Sequence, residues 1–458
     1  MPLILLLPFA LVACIWAFVL YRKAGLIGGC LVTILAGSVF GYDFFHASVI
    51  TVDRVVMAAV VVGYFVCRNI QGLPARAFSR VDVVAIVFLV CLLGSTLAHD
   101  WRFEGSQPLA TYLFFYAMPF ALYWVASRCE VTEQGQRYVI GLFALFGAYL
   151  SLTGICEVLE LSALVFPRYI MNPEVVEFLG RARGPFLNPI ANGLYLTAAI
   201  LATLMWIPYV SKSHRAAVVG LAGLLCLGAL CTLTRSIWLG VGMSIVGLGV
   251  MLVPREHRFR VVFAAALCGG LFLAASGSSL LSFKRDKHLT AKETEDSAKL
   301  RPILAAYAFE MFKDNPITGV GMGQYRRRNI EYVTSRSFDL PMEKGKSYIQ
   351  HNVFLSLLVE TGIVGVAFFS LLLFVWAVDG WTLWNASSLP LWKRQMGLFS
   401  LLLLTAYIPN AMFHEMSVIP MVNMLMFFAA GLCRNMRSSA TERANSRIGN
   451  RRLSAAPA

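Results

Sequence analysis

Residues 216–253 read AAVVGLAGLLCLGALCTLTRSIWLGVGMSIVGLGVMLV, two apolar runs separated by a short polar turn that contains Arg235. Each run is close to the roughly 20 residues that a helix needs to cross a bilayer core about 30 Å thick. The stretch therefore predicts two membrane helices joined by a tight turn. A charged side chain in such a turn must reach either the membrane interface or a polar cavity.

The same apolar pattern recurs along the chain. Windows of membrane-helix length lie at 1–20, 25–42, 49–67, 82–98, 110–127, 138–158, 190–210, 216–233, 236–253, 261–276, 351–379, 395–412 and 416–433. Only 14% of the 458 residues are charged, whereas a soluble domain carries about 25%. We therefore predict an all-α integral membrane protein, a polytopic bundle of about 12–13 transmembrane helices.

One polar interruption is much longer than the others. It covers residues 277–350 and separates an N-terminal transmembrane bundle, 1–276, from C-terminal transmembrane helices, 351–433. Its apolar-striped segments predict a large loop that itself contains helices. The remaining residues, 434–458, are rich in Arg, Ser and Asn, and their composition predicts a basic disordered tail. A single long loop among many short ones is the first place to look for function.

The basic residues predict which side of the membrane this loop faces. Outside the large loop, 20 Lys and Arg residues lie on one side of the predicted membrane and 6 on the other. Cytoplasmic loops carry the excess of Lys and Arg. The large loop is therefore expected to be periplasmic and the tail cytoplasmic, in a multi-pass protein of the bacterial inner membrane. The net charge of +14 then reflects topology, and we expect no nucleic-acid partner.

Several function classes lack their signatures. The sequence has no Walker A motif, no HExxH, no CxxC among its ten cysteines and no paired-aspartate metal motif. We therefore expect neither a cofactor nor a catalytic metal. If the protein catalyses a reaction, its substrate should already be activated and located in the membrane.

Two arginines are candidates for binding an anion. Arg235 could anchor a helix end to lipid phosphates, or it could bind a substrate phosphate together with the hydroxyls beside it. Arg301 precedes Pro302, which suits the first position of a helix, so we predict an N-terminal arginine on a helix lying at the membrane interface. An ordinary interfacial anchor is the alternative for Arg301.

A histidine follows directly on the large loop. His351 and Asn352 open the next membrane helix, and a histidine there can exchange a proton at neutral pH. A purely polar role at the membrane edge is the alternative. Glu360 lies further along the same helix, where pairing within the bundle would explain it. His414 and Glu415 form a further polar pair that could line the same mouth.

Arg181 and Arg183 begin a segment that Gly184 and Pro185 keep from being helical, as expected at the entry to a cavity. Arg183 could contact the same anion as Arg235.

These motifs, in this order, resemble the superfamily of O-antigen ligases and O-antigen polymerases. The matching pieces are RGPFLNP at 183–189, TLTRS at 232–236, Arg301 with NPITGVG at 315–321, and HNVFL at 351–355 with ETGIVG at 360–365. Each motif alone is weak, whereas the ordered set bracketing one large loop is specific. The resemblance covers roughly residues 180–370.

The resemblance implies a metal-independent, inverting glycosyltransferase whose donor is a glycan on undecaprenyl diphosphate. Arg235 and Arg301 match the two diphosphate-binding arginines of the family, and His351 matches the histidine that activates the acceptor hydroxyl. We therefore expect Arg235, Arg301 and His351 to be catalytic, and Arg183 and Asn352 to assist in binding the diphosphate or glycan.

These motifs do not identify the acceptor. A ligase would transfer the glycan to lipid A–core, a polymerase would extend the lipid-linked glycan, and a related transferase would modify a protein. From a different class, a transporter would use the arginines to bind a lipid-linked glycan. Transporters commonly show internal repeats, and no repeat is visible here.

Overall fold

The computed structural model describes residues 15, 18–19, 21–40, 52–70, 78–102, 107–282, 291–333, 340–346, 348–417 and 419–454. Its long helices are α1 (Leu26–Phe40), α2 (Val52–Ile70), α3 (Arg80–Leu97), α4 (Pro108–Arg128), α5 (Glu133–Val158), α6 (Pro189–Leu204), α7 (Lys212–Cys231), α8 (Arg235–Leu252), α9 (Arg258–Ser282), α10 (Ala291–Asp314), α11 (Val353–Asn385), α12 (Leu391–Phe413) and α13 (Pro420–Ser454). No strand occurs in these ranges.

The predicted all-α membrane fold is confirmed. Eight helices in the described ranges are long and apolar enough to span a membrane, namely α3 to α8, α11 and α12. Every predicted window from 25–42 onward coincides with a helix, and the shortest of these, α1, has 15 residues. The window 1–20 lies almost entirely outside the described residues, as does the charged start of the loop at 284–288.

Helix α6 forms the centre of the bundle. Residues 189–203 are buried throughout, and α6 packs against α5, α7, α8 and α12. Helices α11 and α12 pack extensively against each other, while α12 also contacts α8. These contacts bring the start of α8, the start of α11 and the end of α12 to one end of the bundle. Residues 300–333 and 340–346 pack on that same end, which we call the loop end.

Helix α10 differs from the prediction at Arg301. The helix begins at Ala291, so Arg301 and Pro302 lie inside it rather than at its first turn. The residues Ala-Lys-Glu-Thr-Glu at the start of α10 are mostly good helix formers. The helix continues through Pro302 although proline has no N–H to donate, so one backbone hydrogen bond is missing there. The dipole of an N-terminal turn therefore does not act at Arg301.

The apolar face of α10 serves mainly as the core of the loop. Ile303 and Tyr307 are buried against Met342, and the Tyr307 hydroxyl donates to the Met342 carbonyl at 2.8 Å. Met311 packs in a second cluster with Val359 of α11. Phe309 stays exposed. The predicted placement of this face in the membrane interface is therefore wrong for most of its residues, because the loop folds onto them.

The tail also differs from the prediction. Helix α13 continues through residues 434–454, and 455–458 lie outside the described residues. Arg434 and Arg437 both form ion pairs with the buried carboxylate of Asp379 in α11, the first at 3.5 Å. These contacts hold the start of the predicted tail against the bundle.

Candidate active site

The turn between α7 and α8 presents Arg235 as the first residue of α8. Leu233 in this turn has a positive φ of 49°. The hydroxyls of Thr232 and Thr234 donate to carbonyls at 229 and 232, at 2.7 and 2.9 Å. These hydroxyls, which we expected to face a ligand, instead brace the turn that holds Arg235 at the loop end.

A second arginine braces the same turn. The Arg181 guanidinium donates from Nε to the Thr232 carbonyl at 3.1 Å and from Nη2 to Thr234 Oγ1 at 2.5 Å. Arg181 is buried, with 3% of its surface exposed. The positioning of Arg235 therefore depends on Arg181, whose role was not predicted.

A hydrogen bond links the Arg235 turn to the end of α12. Ser236 Oγ and His414 Nε2 are 2.9 Å apart. The residue before His414 is Phe413, the last residue of α12, and the Arg301 guanidinium lies 5.4 Å from the centre of its ring. Arg235 and Arg301 therefore approach the same corner of the loop end, one from α8 and the other from α10.

The start of α11 joins this corner through Asn352. Its Oδ1 accepts from the Leu355 N–H at 3.0 Å and so caps the helix, while its Nδ2 donates to the Met412 carbonyl at 3.0 Å. Both ends of the amide are therefore engaged in fixing α11 beside α12. This arrangement holds the adjacent His351 next to the Phe413 corner.

His351 is held near Arg301. Partial burial of the imidazole and the positive charge of Arg301 both lower the pKa of His351 from its ordinary value of 6.5. A lowered pKa leaves the ring neutral at neutral pH, which is the form that accepts a proton. The structure thus places Arg301 and His351 close together, and Arg235 lies one residue from the contact between Ser236 and His414.

The motifs at 315–321 and 360–365 form one interlocked structure. Helix α11 is broken at Gly362, where φ is 64° and ψ is −166°. The N–H groups of Val320 and Gly321 donate to the carbonyls of Val359 and Glu360, at 2.9 and 3.0 Å. In return, the Ile363 N–H donates to the Pro316 carbonyl at 2.9 Å. Loop backbone thus bonds to groups at the helix break, so the loop is built into α11.

Glu360 contributes to this joint with its side chain. Its carboxylate lies 3.4 Å from the Tyr325 N–H, which donates to it from the loop. Ser95 of α3 donates from its hydroxyl to the Glu360 carbonyl at 3.3 Å and accepts from the Met322 N–H at 3.0 Å. The Glu360 carboxylate therefore binds loop backbone, and pairing with a charged side chain is not needed to explain it.

Arg183 is enclosed by the segment that precedes it in the chain. It is fully buried, and its guanidinium donates to the carbonyls of Ile170, Val175 and Glu177 at distances between 2.6 and 3.1 Å. A longer bond of 3.4 Å reaches the Asn172 carbonyl. Because carbonyls of the 159–188 segment occupy this guanidinium, the contacts favour an organising role for Arg183 over direct binding of a substrate anion.

A cavity of about 420 Å³ opens beside His351. Its wall includes His414 and Glu415, together with Asp53 and Arg54 at the start of α2. Neither Arg235 nor Arg301 lines it. The polar pair at 53–54, in the first turn of an otherwise apolar helix, was the signal available for this part of the site. Among the described residues, no group of three or more His, Cys, Asp or Glu could hold a metal ion.

This geometry describes a polytopic membrane protein with a basic and histidine-containing site under one large loop. Residues 216–370 match the family model described as O-antigen ligase. The matched segment contains Arg235, Arg301, His351 and the broken helix. The match confirms the resemblance to the O-antigen ligase superfamily, whose members are enzymes of the ligase or polymerase type. No curated protein matches the chain.

Proposed function

We propose that the protein is an O-antigen ligase-like glycosyltransferase of the bacterial inner membrane. It transfers a polysaccharide from undecaprenyl diphosphate to a hydroxyl of lipid A–core on the periplasmic face, without a metal and with inversion at the anomeric carbon. Its partners are the lipid-linked glycan, the acceptor and the surrounding membrane lipids. The observation that supports the proposal is the proximity of Arg301 to His351 and to the ring of Phe413, beside the contact of His414 with the residue that follows Arg235.

The two arginines suit a diphosphate leaving group. Guanidinium groups present planar forks of N–H donors that match phosphate oxygens, and they keep their charge at all physiological pH values. Two of them arriving from different helices could hold both phosphates and stabilise the negative charge that develops as the diphosphate departs. In this proposal, Arg235 and Arg301 share that role.

The reaction needs one base and balances without any further reactant. The acceptor hydroxyl oxygen attacks the anomeric carbon of the donor sugar, and a glycosidic bond forms. The bond between that carbon and the diphosphate oxygen breaks, and its electron pair leaves with the diphosphate. The hydroxyl proton passes to the neutral ring of His351. Because its pKa is lowered, this ring is neutral at neutral pH and able to accept the proton.

The remaining predicted residues take positioning roles in this proposal. Asn352 fixes His351 at the start of α11 through its bonds to Leu355 and Met412. Arg183 orders the 159–188 segment that borders the cavity. The large loop covers the glycan, and its attachment to α11 keeps the covering segment in register with His351.

Turnover of a lipid-linked glycan tests the proposal. Arg235→Ala, Arg301→Ala and His351→Ala should each lower the rate by roughly 10²–10³-fold, as loss of a transition-state donor or of a general base does. Arg326→Ala serves as the matched control, because Arg326 is an exposed arginine of the large loop that also contains Arg301. Full activity of the His351 variant would remove the base assignment. Normal transfer in all three variants would remove the assignment of these residues to the active site.

The acceptor is tested separately in cells. In a deletion strain, loss of a ligase leaves polymer on the lipid carrier and none on lipid A–core. Loss of a polymerase instead leaves lipid A–core carrying single repeats, which would replace the ligase proposal by the polymerase one. Unchanged lipopolysaccharide with an unglycosylated protein would indicate a protein acceptor.

A further inference from the structure

The residues that follow α5, 159–166, expose large apolar side chains. Leu159, Leu161, Leu164 and Phe166 each have between 46% and 68% of their surface exposed. The segment lies outside the membrane windows predicted from the sequence. An exposed apolar patch of this kind marks a surface that contacts a partner or a membrane.

A hydrogen bond locates this segment along α5. The hydroxyl of Tyr149 donates to the carbonyl of Phe166 at 2.6 Å. Tyr149 lies nine residues before Val158, the last residue of α5, which corresponds to about 13 Å along the helix axis. Side chains of a helix tilt toward its N-terminus, so the tyrosine ring does not point toward the end of α5. The segment therefore folds back along the helix that it follows.

The packing of α5 against α12 gives the depth of this point. Gln136 donates to the carbonyl of Trp392 at 2.7 Å, and the ring centres of Phe143 and Phe399 are 6.2 Å apart. The two helices therefore run in the same direction, and Tyr149 lies at the level of a residue eight positions before the end of α12. This level is about 12 Å inside the end of that span. Because a bilayer core is about 30 Å thick, the point lies within the leaflet at the loop end.

The backbone of the segment is suited to an apolar surrounding. The N–H groups of residues 159–162, 164 and 165 each donate to a carbonyl no more than five residues earlier in the chain. The Phe166 carbonyl accepts from Tyr149. Val165, between two exposed residues, has only 1% of its surface exposed, so one side of the segment packs on the bundle. Bonds within the protein are needed at membrane depth, since water is not there to replace them.

The outward side of the segment continues an exposed stripe of α5. Leu145, Leu152 and Leu159 recur every seven residues, so they share one face of the helix, and each has more than half of its surface exposed. Tyr149 lies four residues after Leu145 and therefore beside this stripe. An apolar stripe that a membrane span turns away from the bundle faces acyl chains. The side chains of 159–166 extend that same lipid-facing surface.

We infer that residues 159–166 insert into the leaflet at the loop end as a re-entrant anchor, with their exposed side chains against phospholipid acyl chains. The chain that follows carries Arg181, which bonds to the turn before Arg235. The anchor thus fixes this part of the protein relative to the membrane as well as to the bundle. The inference is independent of the reaction that the protein catalyses.

Photo-crosslinking in a bilayer identifies what covers the segment. The full-length protein carries p-benzoylphenylalanine in place of Leu164, in liposomes of palmitoyl-oleoyl phosphatidylethanolamine and phosphatidylglycerol. After irradiation, mass spectrometry should find phospholipid adducts at a yield comparable to that of the same probe in place of Leu152, on the stripe of α5. The probe in place of Glu174, an exposed carboxylate of the 159–188 segment, is the control and should give several-fold fewer adducts.

A charge at the same position gives a second, independent measurement. Leu164→Asp should lower the melting temperature of the liposome-bound protein by several degrees, because an ionised side chain is costly within a leaflet. Ile330→Asp is the matched control, since Ile330 is also exposed but lies among the charged residues of the large loop. It should leave the melting temperature unchanged. Leu164→Met keeps the apolar surface and should also melt like the unmodified protein.

The outcomes decide between lipid, water and a second copy of the chain. Lipid adducts from position 164, together with a loss of stability in Leu164→Asp alone, would establish the anchor. Cross-linked dimers in place of lipid adducts would assign the surface to a second copy and overturn the inference. Neither kind of adduct, or equal melting temperatures for Leu164→Asp and Ile330→Asp, would place the segment in water and overturn it as well.

Discussion

Ser236 of α8 and His414 beyond α12 are joined by a hydrogen bond of 2.9 Å. Each of them is adjacent in sequence to a residue of the proposed diphosphate site. Arg235 precedes Ser236, and Phe413, which lies under Arg301, precedes His414. This hydrogen bond thus joins the start of the helix that carries Arg235 to the residue after the ring that Arg301 contacts.

Removal of this contact should loosen the site without dismantling it. We expect Ser236→Ala to lower turnover several-fold, since the loss of one hydrogen bond is worth about 0.5–1.5 kcal/mol. Ser244→Ala is the control, because Ser244 in the same helix donates to the Leu402 carbonyl of α12 at 2.8 Å. Equal losses in both variants would show a general effect of helix packing rather than positioning of Arg235.

The pH dependence of transfer should report His351. As a base, His351 works only when neutral, so activity is present above its pKa and is lost as the pH falls through it. Because burial and Arg301 lower this pKa, the acidic limb of kcat/KM should have its midpoint below 6.5.

The same measurement assigns the cause. Arg301→Gln removes the positive charge, so the midpoint of its residual activity should move up toward 6.5. The exposed Arg326→Gln should leave the midpoint where it is. A limb that stays in place in Arg301→Gln would contradict the proximity of Arg301 to the titrating group.

Gly362→Ala should destabilise the protein. The φ and ψ angles of Gly362 lie in a region that is essentially restricted to glycine, and occupying it with another residue costs of order 1–3 kcal/mol. An added Cβ would also meet the backbone of Ile317. Thermal unfolding in detergent, followed by size-exclusion chromatography, measures the change. Gly242→Ala is the control, since a Cβ there meets nothing within 4 Å and the residue lies in α8.

Experiment can distinguish two roles of Arg183. If its guanidinium organises the 159–188 segment, Arg183→Lys should lower stability by about 2–4 kcal/mol, because lysine cannot reach the same carbonyls and leaves several buried acceptors unpaired. If it binds the diphosphate, donor KM should rise while stability is kept. Thermal unfolding and donor titration on the same preparation distinguish the two results.

The membrane spans could be predicted because apolar length is a local property of the sequence. The windows from 25 onward needed only the roughly 20-residue run that a bilayer imposes. Arg235 and His351 could also be identified from local sequence, because each lies where a polar segment meets an apolar one. The helical start at Ala291 was missed because Pro302 gave a stronger apparent boundary than the helix formers before it.

Other features depend on pairs of residues remote in the chain. The sequence around each motif does not show that the Val320 N–H donates to the Val359 carbonyl. Three glycines in the two motifs indicate only that the backbone has unusual angles there. Arg181 and Arg183 have the same local setting, yet one braces the α7–α8 turn and the other its own segment. Only packing decides between them, and the same holds for Asp53 and Glu415, which line one cavity from distant parts of the chain.

The break at Gly362 determines which segment of this protein could be exchanged with that of a relative. Residues 359–364 of α11, on both sides of the break, are bonded to residues 316–321, and His351 and Asn352 directly precede this helix. A chimera that exchanges the large loop but keeps its own α11 would join a loop to a helix break shaped for a different partner. A transplantable cassette must therefore extend past the break, to at least Val364, and carry the proposed catalytic histidine with it.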